Sequence, residues 1–143
     1  MVEFNVFVKR FSELPKFLET KGPELLMKHE KEILTKSKEQ LLKGKNVNSE
    51  IMQRGYSTQY GKKRKKAGLQ TSFVDLKFSG KYQDTKKGVK AKEGMNIISD
   101  VDYEKYLRGN FPDHVGLDKG NSDEVKKLLA DEVAVLIKKF LVK

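Results

Sequence analysis

Cysteine is absent from the 143 residues, which excludes a disulfide framework and any thiolate zinc site. That absence suits a reducing cytoplasm. Long apolar runs are missing as well, and nothing approaches the roughly 20 residues that span a bilayer. The opening MVEFNVFVKRFSELP lacks the charged start, apolar middle and small-residue cleavage site of a secretory leader. Cytoplasmic synthesis and retention are expected, unless an assembled particle carries the chain elsewhere. Histidine is scarce: His29 and His114 are far apart and neither stands at metal-ligand spacing from a second ligand. Catalytic signatures are equally thin. Gly61 and Gly68 do not fit the phosphate loop G-x-x-x-x-G-K-[ST], and neither G-x-S-x-G nor H-E-x-x-H occurs. Asp100 and Asp102 have the spacing of the first calcium-loop ligands, without the glycine and terminal glutamate such a loop needs. The expectation is a binding protein with no catalytic residue, no cofactor and no metal.

What the chain has in quantity is charge. Charged residues make up 35% and hydrophobic residues 37%, a polar mix for a chain of single-domain size, so one domain over 1–143 with a small core is expected. The net charge is +10, and it is localised. Residues 54–92 hold 12 Lys/Arg and 2 Asp/Glu, and the remainder holds 18 of each sign. A field confined in this way attracts an anionic surface, either nucleic acid or an acidic protein face.

The periodicities point to an α+β fold. Val2, Phe4, Val6 and Val8 alternate with other residues and predict a half-buried strand over 2–8. A short helix is expected over Phe11–Thr20. From Pro23 to Lys43 the residues Leu26, Ile33, Leu34, Leu41 and Leu42 share one helical face, with Pro23 opening the helix and Gly44 stopping it. Residues 45–72 show no clear period and read as a long basic loop, mobile until assembly orders it. Val74, Leu76 and Phe78 alternate in a strand over 73–79. Residues 88–92 and 95–99 form two strands joined at Glu93-Gly94, and 101–108 a helical turn. Asn121 and Glu124 have capping-box spacing at the start of a last amphipathic helix. Its wide apolar face includes Leu129 and Leu136 as expected core residues against a sheet of residues 73–99. The expected architecture is therefore a small antiparallel sheet packed against a long helix of the N-terminal half and the C-terminal helix.

The densest feature is the run Lys62, Lys63, Arg64, Lys65 and Lys66. Five adjacent cations usually make a solvated loop. A stretch containing only Asp75 and Asp84 cannot pair them all, so binding an external anion, and not folding, is their expected use. Tyr56 and Tyr60 precede the run. They could stack on nucleobases or pin the loop to the core, and pinning is favoured.

Across Arg54–Leu117 the signals run G-Y-x-x-x-Y-G-K-K, V-D-L-K-F-S-G-K-Y-Q-D, a hairpin, Y-x-x-Y-L, and F-P-x-x-V-G-L. This order resembles the small tail-completion, or virion-morphogenesis, proteins of tailed bacteriophages. The resemblance rests on Val74, Asp75, Leu76, Phe78, Ser79, Gly80 and Asp84, then Tyr103 and Tyr106, then Phe111, Gly116 and Leu117. The chain departs from the pattern at Tyr82, where an aliphatic residue is usual, in the weight of its basic run, and at Asp113-His114-Val115, which stretch the last turn. The resemblance implies a structural α+β subunit of the virion. Such a subunit joins copies of itself in a ring at the head–tail junction or tail top, contacts portal, connector or tail-tube proteins, and forms part of the DNA conduit. The basic run would then face genomic DNA or dock on an acidic neighbouring ring. Docking is favoured, since a ring that conducts DNA should not grip it. The alternative is a cytoplasmic nucleic-acid-binding protein working through residues 54–92. It carries no helix-turn-helix, RRM or KH signature. An enzyme with an undetected site is the third reading.

Overall fold

The computed structural model describes residues 3–52, 55–92 and 94–143. The chain begins with a helix, α1, over Phe4–Lys28, where a strand was expected. Val2, the first residue of that expected strand, lies outside the described residues. Phe4, Phe7, Val8 and Phe11 stand at i, i+3, i+4 and i+7, so they satisfy a helical period as well as an alternating one. Among the described residues no strand pairs with the segment, and the Phe7 and Phe11 rings stack 6.4 Å apart. Pro15 and Pro23 both lie inside α1. Pro23 therefore does not start a helix. It removes one N–H from the ladder of a helix already running.

His29 alone separates α1 from α2, Glu30–Leu42, with φ −102° and ψ 20°. The stop at Gly44 is as expected: it takes φ +72°, and a Cβ there would lie 2.4 Å from the Phe73 ring. Residues 45–51 close on themselves. Lys45 bridges Ile51, and Asn46 Oδ1 accepts the N–H groups of Asn48 at 2.9 Å and Glu50 at 3.1 Å.

The basic run is helical and not a loop. Helix α3 spans Thr58–Lys66 and is capped by Ser57, whose Oγ accepts the Tyr60 N–H at 3.2 Å. Lysine and arginine are good helix formers. The segment failed to look helical because it has almost no apolar face. Beyond Gly68 (φ +72°) the chain over 69–80 forms no regular element, which corrects the strand expected at 73–79. Leu76 has φ +54°, a left-handed conformation outside the extended region of a regular strand.

A short helix α4, Lys81–Asp84, leads into the hairpin of β1, Lys86–Ala91, and β2, Gly94–Ser99, in the register Lys86↔Ser99 to Ala91↔Gly94. The expected hairpin is present; Glu93 at its turn lies outside the described residues. These two strands are the whole described sheet, and α1 and α2 cover it. Glu30 of α2 accepts the Gly88 N–H at 2.6 Å. Helix α5, Glu104–Asn110, and a single 3-10 turn, Pro112–His114, follow.

The last helix, α6, spans Lys119–Val142. Its cap is Asp118, whose carboxylate accepts the Asn121 N–H at 2.9 Å, so Asn121 belongs to the first turn and the expected capping box is displaced. Gln40 of α2 fixes this start. Its Oε1 accepts from Asp118 N at 2.8 Å and from Asn121 Nδ2 at 3.1 Å.

Two apolar clusters share α2. Leu41 joins Met52, Val74, Tyr82 and Val101, and Ile33 joins Ile97 and Val125. Leu129 packs against the second cluster. Only the first turns of α6 thus reach the sheet. Farther along, α6 lies on α1, where Phe140 stacks on Phe17 with ring centres 4.2 Å apart. Leu136 is half-buried there, beside Leu25 and Val135 in a groove of about 580 Å³ between the two helices.

Candidate functional site

The sequence directs attention to α3, and its residues meet different fates. Arg64 is fully buried. Its Nε donates to the Gln70 carbonyl at 3.0 Å, one Nη donates to the Lys77 carbonyl, and the other reaches Asp75 Oδ1 at 3.1 Å. The guanidinium lies 4.2 Å from the centre of the Tyr56 ring. Asp75 is the other half of the knot. Its Oδ1 also accepts the Tyr56 hydroxyl at 2.8 Å and the Lys77 N–H at 3.0 Å, and its Oδ2 accepts Gln70 Nε2 at 2.9 Å. The Asp75 N–H donates to the Tyr56 oxygen at 3.0 Å, and its carbonyl accepts Gln83 Nε2 at 2.8 Å. Side chains thus satisfy the polar backbone that a strand would have paired. Burial pushes the Tyr56 hydroxyl up to about 12, so it stays protonated and can donate.

The expectation that all five cations of the run serve binding is therefore corrected at Arg64, which is structural. Tyr56 pins the segment, the favoured of its two readings. The remaining four cations, Lys62, Lys63, Lys65 and Lys66, are exposed. Among the described residues no ion pair reaches any of them. Asp84, the other nearby acid, pairs with Lys38 at 2.7 Å. Helix α3 thus presents a row of lysines above the buried, hydrogen-bonded Arg64.

Beside this row opens a cleft of about 570 Å³ between α3, the irregular segment and α5, lined by Tyr60, Lys63, Phe78, Tyr103, Leu107 and Phe111 among others. Tyr60 meets Tyr56 edge-on at 5.3 Å and Phe78 at 6.2 Å, so it is a wall of the cleft as well as a packing residue. Lys63 Nζ sits 5.2 Å from the Phe78 ring centre, which places a cation at the mouth. Phe78 is 41% exposed and Tyr103 43%. The sequence reading missed this role for both. The sequence places Phe78 in a strand that does not form, and marks Tyr103 and Phe111 only as spaced aromatic signals.

A second polar cluster lies at the other end of the first core. His114 is buried, hydrogen-bonded through Nε2 to the Tyr82 hydroxyl and through Nδ1 to the Phe111 carbonyl. Burial drives its pKa down to about 4, so the neutral ring donates to Phe111 and accepts from Tyr82. Lys86 lies 5.1 Å from the Tyr82 ring centre, and burial, then Arg108, lower its pKa to about 8. Among the described residues no group of three or more His, Asp or Glu converges as a metal requires, and no helix is long and apolar enough to cross a membrane. No family model matches the chain, and neither does any curated protein or solved structure.

Proposed function

We propose that this chain is a non-enzymatic structural subunit that joins copies of itself in a ring at the neck or tail top of a tailed bacteriophage, as part of the DNA conduit of the virion. The observation that carries the reading is the open end of α1. Phe4 is 78% exposed and Phe11 60%, with Val8 and the stacked Phe7 between them. A contiguous apolar ridge of this kind is costly in water and usually awaits a protein surface. A ridge on one helix end that meets a different surface of the next copy makes a heterologous contact, which closes into a ring when the rotation allows. The order of motifs over residues 54–117 supports the placement at the head–tail junction beside portal, connector or tail-tube proteins. Light scattering on the purified chain tests the reading. A large homo-oligomer is expected, reduced by Phe4→Ser with Phe11→Ser to a monomer that still unfolds cooperatively. A chain that stays monomeric at high concentration and is missing from particles would sink it.

A second reading, a nucleic-acid-binding protein working through residues 54–92, is favoured by one observation. The four exposed lysines of α3 have no acidic partner among the described residues and border an aromatic cleft.

A further inference from the structure

We infer that the cleft beside α3 takes an unpaired nucleobase of a single-stranded nucleic acid, while the lysines of α3 hold the phosphates on either side. The inference rests on the second reading above and is independent of the ring.

Two features that arise separately meet at this place. The first is a set of aromatic walls. Tyr60, Phe78, Tyr103 and Phe111 surround about 570 Å³, and Phe78 and Tyr103 keep two-fifths of their surface open to solvent. Aromatic surface left open in this way can stack on flat groups. The second is the cation row. Lys62 and Lys66 stand one turn apart on the exposed side of α3, so their Cβ atoms are about 5–6 Å apart, and Lys63 holds its charge over Phe78 at the mouth. Arg64, locked to Asp75, prevents α3 from swinging away. The matching ligand has flat apolar faces, a polar edge and an anionic backbone, which describes a single strand. Ser57 and Ser79 line the same cleft; each hydroxyl oxygen accepts a backbone N–H, which leaves the O–H to donate to a base edge. Duplex DNA offers its phosphates to the lysines but hides its base faces within the stack, so the cleft would stay empty. An acidic peptide would satisfy the lysines and leave the open rings without a purpose.

The test uses the full chain and fluorescence anisotropy with a labelled oligo(dT) of about 12 nucleotides, beside a duplex of the same length. Tighter binding to the single strand is expected, by about tenfold, which is the effect of one stacked base. Tyr103→Ala should remove that advantage and leave duplex binding unchanged, while Tyr103→Trp, which keeps a ring, should retain it. Replacing Lys62 and Lys66 with Gln should lower the slope of log affinity on log salt by about 0.7 per lysine. Because Tyr103 lies at the surface, these variants should melt with the parent. Absence of binding to either nucleic acid at low salt overturns both the inference and the second reading. Equal binding to strand and duplex, or indifference to both Tyr103→Ala and Phe78→Ala, overturns the inference and leaves the second reading standing. Displacement of the strand by polyglutamate at matched charge as readily as by unlabelled oligo(dT) also overturns it, since the field alone would then account for binding.

Discussion

Arg64 Nη2 donates to Asp75 Oδ1 across 3.1 Å with both side chains sealed from solvent. Removing one member of such a pair leaves the other charge buried and uncompensated, which costs about 3–5 kcal/mol. Arg64→Ala and Asp75→Ala should each lose that much in urea unfolding. Arg64→Lys should not rescue, because an ammonium cannot reach Gln70, Lys77 and Asp75 as the planar fork does. A loss below about 1 kcal/mol for Arg64→Ala would contradict the role given to the knot.

The four exposed lysines should behave in the opposite way. Lys62, Lys63, Lys65 and Lys66 replaced together by Gln, with Arg64 kept, should leave stability within about 0.5 kcal/mol per site. Adjacent like charges are also relieved, so a small gain is the more natural sign. Anion binding, read as retention on heparin across a salt gradient, should fall sharply. A large fall in the melting temperature would show that these lysines are structural after all.

Core truncations should rank by burial. Leu41 is fully buried in the first cluster, so Leu41→Ala should cost about 2–5 kcal/mol. Leu129→Ala should follow, because it packs on the second cluster. Leu136 is only half-buried in the groove between α1 and α6, and its truncation should cost about 1 kcal/mol. Equal losses at Leu41 and Leu136 would mean that the α1–α6 arm is a core of its own.

The two histidines should tilt the pH dependence in opposite directions. Glu32, then Glu132, raise His29 above 6.5, so the folded state binds its proton more tightly than the unfolded chain. Its stabilisation is full below pH 6.5 and is lost as pH rises through the higher folded value. His114 is lowered from 6.5 to about 4, so its neutral form belongs to the fold. Its contribution is present above pH 6.5 and is lost as pH falls towards 4, a change on the order of 3 kcal/mol. Urea titrations across this window should show a shallower acid loss for His114→Gln than for the parent. For His29→Gln the decline above pH 6.5 should disappear. Parallel pH profiles for parent and both variants would refute the assignment.

Much of the framework was legible. The β1–β2 hairpin, the long α6 and the stop at Gly44 followed from pattern and turn chemistry, and the pinning of Tyr56 was the favoured of two readings. The failures share a cause, which is that a one-dimensional pattern can have two solutions. Phe4 and Val8 fit an alternating and a helical period at once, and Phe7 and Phe11 decide for the helix. Val74, Leu76 and Phe78 alternate as a strand would, yet among the described residues no strand pairs with them, and side chains of Arg64 and Gln70 satisfy the segment instead. Within Lys62–Lys66 nothing local marks Arg64 as the inward member. Its partner Asp75 lies 11 residues away, and only the turn of α3 aims it inward. The cleft has no signature along the chain for a related reason, since Tyr60, Phe78 and Tyr103 come together only once the irregular segment is in place.

The distances along the chain that these contacts bridge differ greatly. Arg64 meets Gln70, Asp75 and Lys77 at separations of 6, 11 and 13 residues, whereas Lys28 reaches Glu132 across 104. Closing a loop of about ten residues takes on the order of 10–100 ns, and longer closures carry a greater entropic cost. The part of the molecule without regular secondary structure is thus held, like the β1–β2 hairpin, by contacts that lie close along the chain. The expected order of folding is the knot first and the α1–α6 arm last. High φ-values at Arg64 and Gln70, with values near zero at Phe17 and Phe140, would record it.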